Sequence, residues 1–426
     1  MSTAAKRVSV FDAPPPAIDY HGVVQPEEAH RIIARVRSQS PIAMGPYGPE
    51  LLTYDLVRSV LRDPRFAMPP ANGLAMQGVT SGPLWDRVSA LIVGIDGAEH
   101  KRLRRLVSHA FTPRAAERMR TACRAIMNEL VNRQIHTGRC DVVADIARSY
   151  PVPIICTTLG VPREDWDLFS DCLRGISEAF GGNAAAHTLA ILAAWHNLDA
   201  YLDNLIERRR RSLTDDLISE LIRAGDDGDR LTRREILDLV AVLLLAGTDT
   251  TRNQLAAAVQ VFVDHPDQWA VLADHPELAP HAVEEVMRHT PASFSAIRVV
   301  VEDVDLDGIR CPAGTCVVVN TAAANRDPVR YEDPERFDIT RQGPAAMLTF
   351  GGGAHHCLGA HLARIELAEG LVVMARRMGG IRRAGPAPWR PIVGIAGPRT
   401  LPIEFDPRPA RVCRVVSELQ VRRTML

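Results

Sequence analysis

One stretch of the chain, residues 232–265, restricts the possible folds more than any other. Thr232 and Glu235 have the spacing of a capping box, in which a hydroxyl and a carboxylate satisfy free amides at a helix start. Helical residues then continue to Pro266, whose ring is not tolerated inside a helix. A helix of about thirty residues spans roughly 45 Å, and its middle is apolar on nearly every face, which predicts burial. The chain must therefore pack a large domain around this helix.

The remaining sequence predicts more helices and a minor sheet. Proline and glycine in 64–83 indicate a long irregular loop, and β-branched runs in 297–319 predict hairpins. We predict a mainly α fold with a minor β region. Its predicted parts are a mobile N-terminal arm at 1–20, a single domain at 21–406 and an arginine-rich tail at 407–426. Helical patterns cover 27–37, 54–62, 98–136, 141–160, 163–180, 185–211, 276–289 and the residues after 359.

Composition excludes several classes of protein. The formal net charge of the 426 residues is -1, so overall charge gives no reason to expect nucleic-acid binding. No window approaches the roughly 18 to 20 apolar residues of a membrane span, and the N-terminus lacks the apolar region of a secretion signal. The eight cysteines form no CxxC pair, which favours reduced thiols. We expect a cytoplasmic monomer that contacts neither membrane nor nucleic acid.

The loop 350–359, FGGGAHHCLG, is the strongest chemical signal in the chain. Glycines around Cys357 allow its backbone to approach a flat cofactor closely. Cys357 also precedes a helix, whose free amides stabilise a thiolate. The alternatives are a buried structural cysteine or a zinc site on His355, His356 and Cys357. Three adjacent side chains diverge, which argues against zinc.

This loop resembles the haem-binding motif of the cytochrome P450 family, FxxGxxxCxG followed by AxxLAR. The resemblance implies that Cys357 binds the iron of haem b, iron protoporphyrin IX, as its proximal ligand. It also implies that Phe350 packs beside the sulfur and that Gly351 and Gly359 adjoin the cofactor. The chain departs from the family at two positions in this loop. Gly352 stands where relatives often carry His or Arg, and His356 replaces a common aromatic residue.

Polar residues interrupt the long helix at 246–251, AGTDTT. Burial of an acid and hydroxyls costs free energy unless they are bonded or functional. A threonine hydroxyl can bond to a backbone carbonyl of the helix, which predicts a local bulge. The sequence is similar to the family pattern AGxDTT. That similarity implies that Asp249 relays protons, that Thr250 hydrogen-bonds dioxygen, and that Ala246 and Gly247 leave space above the haem.

Three further groups of residues follow from the resemblance. ExxR and PERF motifs imply a structural triad of Glu285, Arg288 and Arg336 that braces the cysteine loop. HxxxR and two later positions imply partners for the haem carboxylates. These partners are His100, Arg104, Arg298 and His355. By family position, the residues expected to line the substrate pocket are Leu243, Phe294, Ile297 and Ile395.

The resemblance implies a cytochrome P450 fold, a helical triangular prism with haem between the long helix and the cysteine-loop helix. The expected enzyme inserts one oxygen atom from O2 into a hydrophobic small molecule by hydroxylation or epoxidation. Because the chain has no flavin, nicotinamide or iron–sulfur motif, electrons are expected from ferredoxin and ferredoxin reductase, and indirectly from NAD(P)H. We expect docking near Arg102, Arg105 and Arg114. A peroxide-using or rearranging haem-thiolate enzyme and a haem-binding sensor are the alternatives.

Overall fold

Helices make up most of the chain in the computed structural model, which describes residues 9–180, 183–226, 231–343, 345–392 and 394–409. Most of the predicted helices are confirmed, with 98–136 divided into three. The α-helices are α1 (Pro26–Arg37), α2 (Tyr54–Val60), α3 (Pro83–Ser89), α4 (Gly97–Ser108), α5 (Pro113–Arg118), α6 (Arg120–Gln134), α7 (Pro151–Leu159), α8 (Trp166–Ser177), α9 (Ala184–Arg211), α10 (Leu217–Asp226), α11 (Arg233–Asp264), α12 (Pro266–Asp274), α13 (Ala279–His289), α14 (Thr321–Ala324) and α15 (Ala360–Arg377).

The strands form three small sheets, as the predicted minor β region requires. A five-stranded sheet has the order β1-β2-β8-β5-β3, a three-stranded sheet has the order β4-β10-β9, and β6 pairs with β7. The strands are β1 (Ile42–Gly45), β2 (Gly48–Leu51), β3 (Phe66–Ala67), β4 (Arg139–Asp141), β5 (Ala296–Val300), β6 (Val304–Leu306), β7 (Ile309–Cys311), β8 (Cys316–Val319), β9 (Met378–Arg383) and β10 (Pro402–Pro407).

The long helix α11 has the predicted start, end and burial. The Thr232 hydroxyl accepts a hydrogen bond from the Glu235 amide, and the Glu235 carboxylate accepts one from the Thr232 amide at 2.6 Å. The predicted bulge is absent, because α11 is α-helical throughout. The Thr250 hydroxyl donates to the Ala246 carbonyl at 2.8 Å without opening the helix. Helix α11 packs against α7, α13 and α15, and these contacts place it at the centre of the fold.

The N-terminal residues 9–20 are packed against the domain, so the prediction of a mobile arm at 1–20 is wrong for this part. Val10, Ile18 and Tyr20 are buried. The amide of Val10 donates to the Arg310 carbonyl at 2.9 Å, and that of Ile18 donates to the Met44 carbonyl at 3.0 Å. Apolar side chains that alternate with proline and polar residues gain enough burial to hold this stretch in place. Most of the predicted C-terminal tail, residues 410–426, lies outside the described residues.

Within the described part of the chain, no helix combines the length and apolar character needed to cross a membrane.

Candidate active site

A cavity of about 390 Å³ lies between the middle of α11, the start of α15, the cysteine loop and β5. Helix α11 contributes Ala246, Gly247 and Thr250, and the loop contributes Phe350 and Cys357. Most of the remaining wall is apolar, as expected for a site that binds a small organic molecule. Further apolar lining residues are Leu61, Met68, Ile92, Val93, Phe111, Ile155, Val242, Leu243, Ala292, Ala296, Leu362 and Ile395.

The cysteine loop has a backbone that requires glycine at two positions. Gly351 has φ +71° and Gly353 has φ +64°, both in the left-handed region. A Cβ atom on Gly353 would lie 2.3 Å from the Leu61 carbonyl oxygen, whereas one on Gly351 would meet nothing closer than 3.9 Å. Gly352 is buried, and a Cβ there would lie 3.2 Å from the Cβ of Leu61. Close packing against Leu61 accounts for the small residue at this position.

Cys357 faces the cavity and is the one exposed cysteine among the seven that the structure describes. Its amide donates to the Phe350 carbonyl at 2.9 Å, and α15 begins three residues later. Although the surface of Cys357 is open to the cavity, the surrounding protein desolvates the thiol and raises its pKa; the Gly359 amide and the guanidinium groups of Arg104 and Arg364 oppose this in part. These groups favour the thiolate. A buried structural cysteine does not fit this exposure.

The zinc alternative does not fit the loop either. His355 is hydrogen-bonded to Asp96, with 2.7 Å between Nε2 and Oδ1, and its ring lies against His100. Over the part of the chain that the structure describes, no three His, Cys, Asp or Glu side chains are grouped to hold a metal ion. A single cysteine therefore remains as the candidate ligand.

His100, Arg104, Arg298 and His355 all line the cavity, and we call them the donor cluster. The rings of His100 and His355 lie 4.2 Å apart between centroids. Burial lowers the pKa of His100 to about 4, with His355 and Arg104 adding to the effect. Burial also lowers the pKa of His355, although Asp96 opposes this. Both imidazoles are therefore neutral hydrogen-bonding groups at pH 7.

Arg104 and Arg298 carry the positive charge of the donor cluster. Arg298 is 5% exposed, and its hydrogen bond goes to the backbone carbonyl of Ile297 at 2.8 Å. Arg104 donates to the carbonyl of His356. Neither guanidinium forms an ion pair with a carboxylate among the described residues. Buried arginines normally have such a partner. The arrangement fits a bound group that brings its own carboxylates, and with Cys357 it fits haem.

On the part of the cavity wall formed by α11, Thr250 lines the cavity but Asp249 does not. Asp249 forms an ion pair with Arg252 on the next turn. Its side chain is 19% exposed, and Asn253 donates to its backbone carbonyl at 2.7 Å. The structure therefore brings Ala246, Gly247 and Thr250 together with Cys357. It leaves Asp249 outside the cavity wall.

Several polar residues on the cavity wall were not predicted, among them Thr251 and Glu366. Neither side chain has a hydrogen-bond partner in the described chain, and Glu366 is fully buried with an unpaired Oε2. Burial raises the pKa of Glu366 well above its ordinary value, which favours the neutral acid. Glu366 lies four residues after Leu362 on the same apolar face of α15. An acid within an apolar stripe is a signal that could have identified it.

The predicted triad is corrected at its third member. Arg288 donates to both carboxylate oxygens of Glu285, at 2.7 and 2.8 Å, and both residues are buried. Arg288 also donates to the backbone carbonyl of Arg336 at 3.0 Å, but the Arg336 side chain is 64% exposed and pairs with Asp338. The second guanidinium on Glu285 belongs to Arg341, at 3.3 Å. Arg336 thus takes part through its backbone alone.

The pocket prediction is also corrected in part. Leu243 and Ile395 line the cavity, whereas Phe294 and Ile297 do not. Phe294 is 2% exposed and packs in a separate apolar cluster against His30 and Trp389. Ile297 lies between Ala296 and Arg298 on β5, and its side chain points to the other face because strand residues alternate. Its neighbour Ala296 lines the cavity instead.

Comparison with known proteins gives consistent matches over most of the chain. The family model described as cytochrome P450 matches residues 184–274 and 268–377. Luteothin monooxygenase of Streptomyces thioluteus is 38% identical over 88% of this chain and 92% of its own length. Mycinamicin IV hydroxylase/epoxidase of Micromonospora griseorubida is 41% identical over 84% and 90%. The crystal structure of CalO2 superposes with a TM-score of 0.86 at 30% identity, covering 92% of this chain and 99% of that one.

Proposed function

The chain belongs to the bacterial cytochrome P450 family and is a monooxygenase, and on this premise we propose that it hydroxylates or epoxidises an apolar small molecule bound beside Cys357. The observation that carries this proposal is the meeting of Cys357 and the donor cluster at one apolar cavity. Relatives are named as hydroxylase/epoxidase and epoxidase enzymes, which supports these two reactions.

The residues of the cavity have complementary roles in holding the cofactor. Cys357 would bind the iron of haem b through its sulfur, and Arg104 and Arg298 would pair with the two carboxylates. His100 and His355 would add hydrogen bonds, with His355 held in place by Asp96. When bound, the haem supplies dioxygen activation and the transfer of one oxygen atom to the substrate. Gly247 allows α11 to pack closely against Ile155 of α7 at the cavity, since a Cβ there would lie 3.1 Å from the Ile155 side chain.

We assign the proton-holding groups to α11 and α15. Thr250 Oγ1 bonds to the Ala246 carbonyl at the cavity wall, and a small rotation of the side chain would direct it into the cavity. Asp249 would take up protons from solvent when its ion pair with Arg252 opens. Thr251 and Glu366 offer further positions for a proton within the cavity.

The substrate is proposed to be largely apolar, because Val242, Leu243, Ala292 and Ile395 form the wall beside Thr250. Binding would displace water from the cavity and change the Soret spectrum of the haem. A screen of purified holoenzyme should begin with luteothin and mycinamicin IV, and continue with fatty acids, terpenes and steroids. A class that gives saturable shifts and an oxygenated product identifies the substrate. Absence of any shift across all classes would contradict an apolar organic substrate.

Electrons are proposed to come from a ferredoxin and its reductase, docked on the side of the cysteine loop. Arg102 is held by Glu99 and Glu235, so its charge is compensated inside the protein. Arg114 is exposed on α5 and is the better choice for an acidic partner. Arg114→Glu should slow reduction by ferredoxin at low salt, while Arg133→Glu on α6 serves as a control. Equal rates for both variants would exclude this docking position.

The central test concerns the sulfur ligand. Cys357→Ala should abolish the spectrum of thiolate-ligated haem in the reduced carbon monoxide complex, and with it turnover. Cys316→Ala, which changes a half-buried cysteine on β8, should retain both. If Cys357→Ala kept the spectrum, the proposed ligand and the proposed function would both be wrong.

A peroxide-using enzyme is the second candidate, and one observation favours it: Asp249 lies off the cavity in an ion pair. Hydrogen peroxide carries oxygen that is already partly reduced, so a reaction that uses it depends less on a proton relay than a reaction that uses O2. Turnover with peroxide and no response to a ferredoxin system would favour this reaction. Turnover that requires reduced ferredoxin and O2 would favour the monooxygenase cycle.

A further inference from the structure

Arg87 lies in a segment that forms part of the cavity wall, residues 68–94, which we call the cover segment. Met68, Ile92 and Val93 of this segment line the cavity. It contains the short helix α3, which carries Arg87. The segment has a left-handed stretch at Ala71, Asn72 and Gly73, with φ values of 46°, 51° and 83°. Two non-glycine residues in this conformation store strain, so the segment depends on contacts elsewhere to hold its position.

One of these contacts is made by Arg87. Its side chain is 5% exposed and donates to both carboxylate oxygens of Asp199 on α9, at 3.1 and 2.8 Å. The same guanidinium lies 3.1 Å from a carboxylate oxygen of Asp238 on α11. It also lies 4.3 Å from the centroid of the Trp195 ring, one turn before Asp199. Arg87 therefore joins α3 to two long helices at once.

Burial of the charged and polar groups around Arg87 costs free energy, so they are a poor source of stability. Arg87 Nε and Trp195 Nε1 are buried without a partner. Burial raises the pKa of Asp199 to about 6, with Asp203 adding to it, and burial likewise raises that of Asp238 to about 6. Buried ion pairs often add little to stability, and their retention then points to a positional role.

The positions of Arg87 and its partner Asp238 relate them directly to the cavity. Asp238 lies four residues before Val242 on the same face of α11, and Val242 lines the cavity. Ile92 and Val93 follow Arg87 by five and six residues. Holding α3 against α11 therefore holds the apolar residues of the cover segment at the cavity beside Val242.

We propose that Arg87 is a positioning residue: together with Asp199 and Asp238 it latches the cover segment over the cavity, and small molecules enter and leave when this latch opens. The proposal rests on the proposed function in so far as the molecule that passes is the substrate. The strained backbone at residues 71–73 and the ion pairs of Arg87 are features of the chain itself and do not depend on which molecule passes. Opening exchanges the bidentate ion pair with Asp199 and the contact with Asp238 for hydrated groups, so the latch sets rates of passage more than affinity.

The test compares holoenzymes carrying Arg87→Gln, Arg87→Lys and Asp199→Asn. The control is Arg174→Gln, which removes an exposed ion pair with Asp171 on α8. The probe is 4-phenylimidazole, whose association and dissociation are followed by stopped-flow Soret absorbance. Amide hydrogen exchange of residues 84–93 and of α11 supplies a readout that needs no haem ligand.

For Arg87→Gln and Asp199→Asn we expect both rate constants to rise about tenfold, because each change removes one charge of the ion pair that holds the segment. The dissociation constant should change little, Arg87→Lys should be intermediate, and exchange should rise at 84–93 but not in α11. Rates equal to those of the control, or exchange that rises equally in α9 and α11, would overturn the latch. If even the wild type gave no azole spectrum, the proposed function would fail, while the exchange comparison would still decide the latch.

Discussion

The two left-handed glycines of the cysteine loop allow a matched test of how the backbone places Cys357. Gly351→Ala and Gly353→Ala each put a Cβ on a residue with positive φ, +71° and +64° respectively. The left-handed conformation costs a residue with a Cβ about 1–2 kcal/mol. Only Gly353 adds a collision, since its Cβ would lie 2.3 Å from the Leu61 carbonyl oxygen. Comparison of the two variants therefore separates the cost of backbone strain from the cost of displacing the cysteine loop.

The size of the displacement follows from that distance. A carbon atom normally stays about 3.3 Å from a carbonyl oxygen, so the loop must move by about 1 Å. Overpacking of this kind costs about 1–3 kcal/mol, in addition to the backbone strain. We expect Gly351→Ala to lose about 1–2 kcal/mol of unfolding free energy. Gly353→Ala should lose about 2–5 kcal/mol, the sum of both costs.

The two variants should also differ in the fraction of haem that has the Cys357 thiolate as its ligand. Denaturant unfolding gives the free energies, and the reduced carbon monoxide spectrum gives the fraction of haem with a thiolate ligand. Gly351→Ala should retain thiolate ligation, whereas Gly353→Ala should lose much of it because Cys357 is four residues along the displaced loop. Equal stability and equal spectra for the two variants would refute the reasoning from the Leu61 contact.

Three further outcomes are expected. Arg341→Ala should lose about 2–3 kcal/mol of unfolding free energy because it removes charge-assisted hydrogen bonds that include Glu285, while Arg336→Ala should stay within about 0.5 kcal/mol; denaturant unfolding that ranks them in reverse would restore the sequence-based triad. Because burial raises the pKa of Glu366, the stability it confers is present below about pH 4.3 and is lost as pH rises, so the stability of Glu366→Gln should increase relative to the wild type as pH rises above about 4.3. A stability difference independent of pH would show that Glu366 is not held neutral. Thr250→Ala should lower the amount of product formed per NAD(P)H consumed, with product formation falling by about 100-fold. An unchanged ratio of product to NAD(P)H would show that this hydroxyl takes no part in proton delivery.

The sequence predicted those features that depend on local chemistry. The capping box at Thr232, the stop at Pro266 and the helix after Gly359 all follow from backbone rules, and the structure has them. The resemblance placed Cys357 and the donor cluster at one site, and all five residues line the cavity. Such motifs are informative because each fixes residue types at short spacings.

Errors arose where the direction of a side chain decided the outcome. Arg341 lies in coil without periodicity, so nothing in the sequence pointed its guanidinium at Glu285. The proton-relay role of Asp249 stays a prediction; the sequence did not indicate that its carboxylate would pair with Arg252 on the next turn. Ile297 could have been excluded, since β-strand alternation puts it opposite Arg298. Phe294 precedes β5, where no period applies.

Asp96 connects the cover segment to the donor cluster. One carboxylate oxygen accepts from the amide of Met68 at 2.7 Å, and the other is 2.7 Å from His355. Burial raises the pKa of Asp96, but these hydrogen bonds bring it below its ordinary value. The same acid thus fixes the first residue of the cover segment and the imidazole expected at the cofactor. Any shift of His355 on cofactor binding would be transmitted through Asp96 to Met68, and because coupling is reciprocal, the position of the cover segment would in turn affect how readily the cofactor is held.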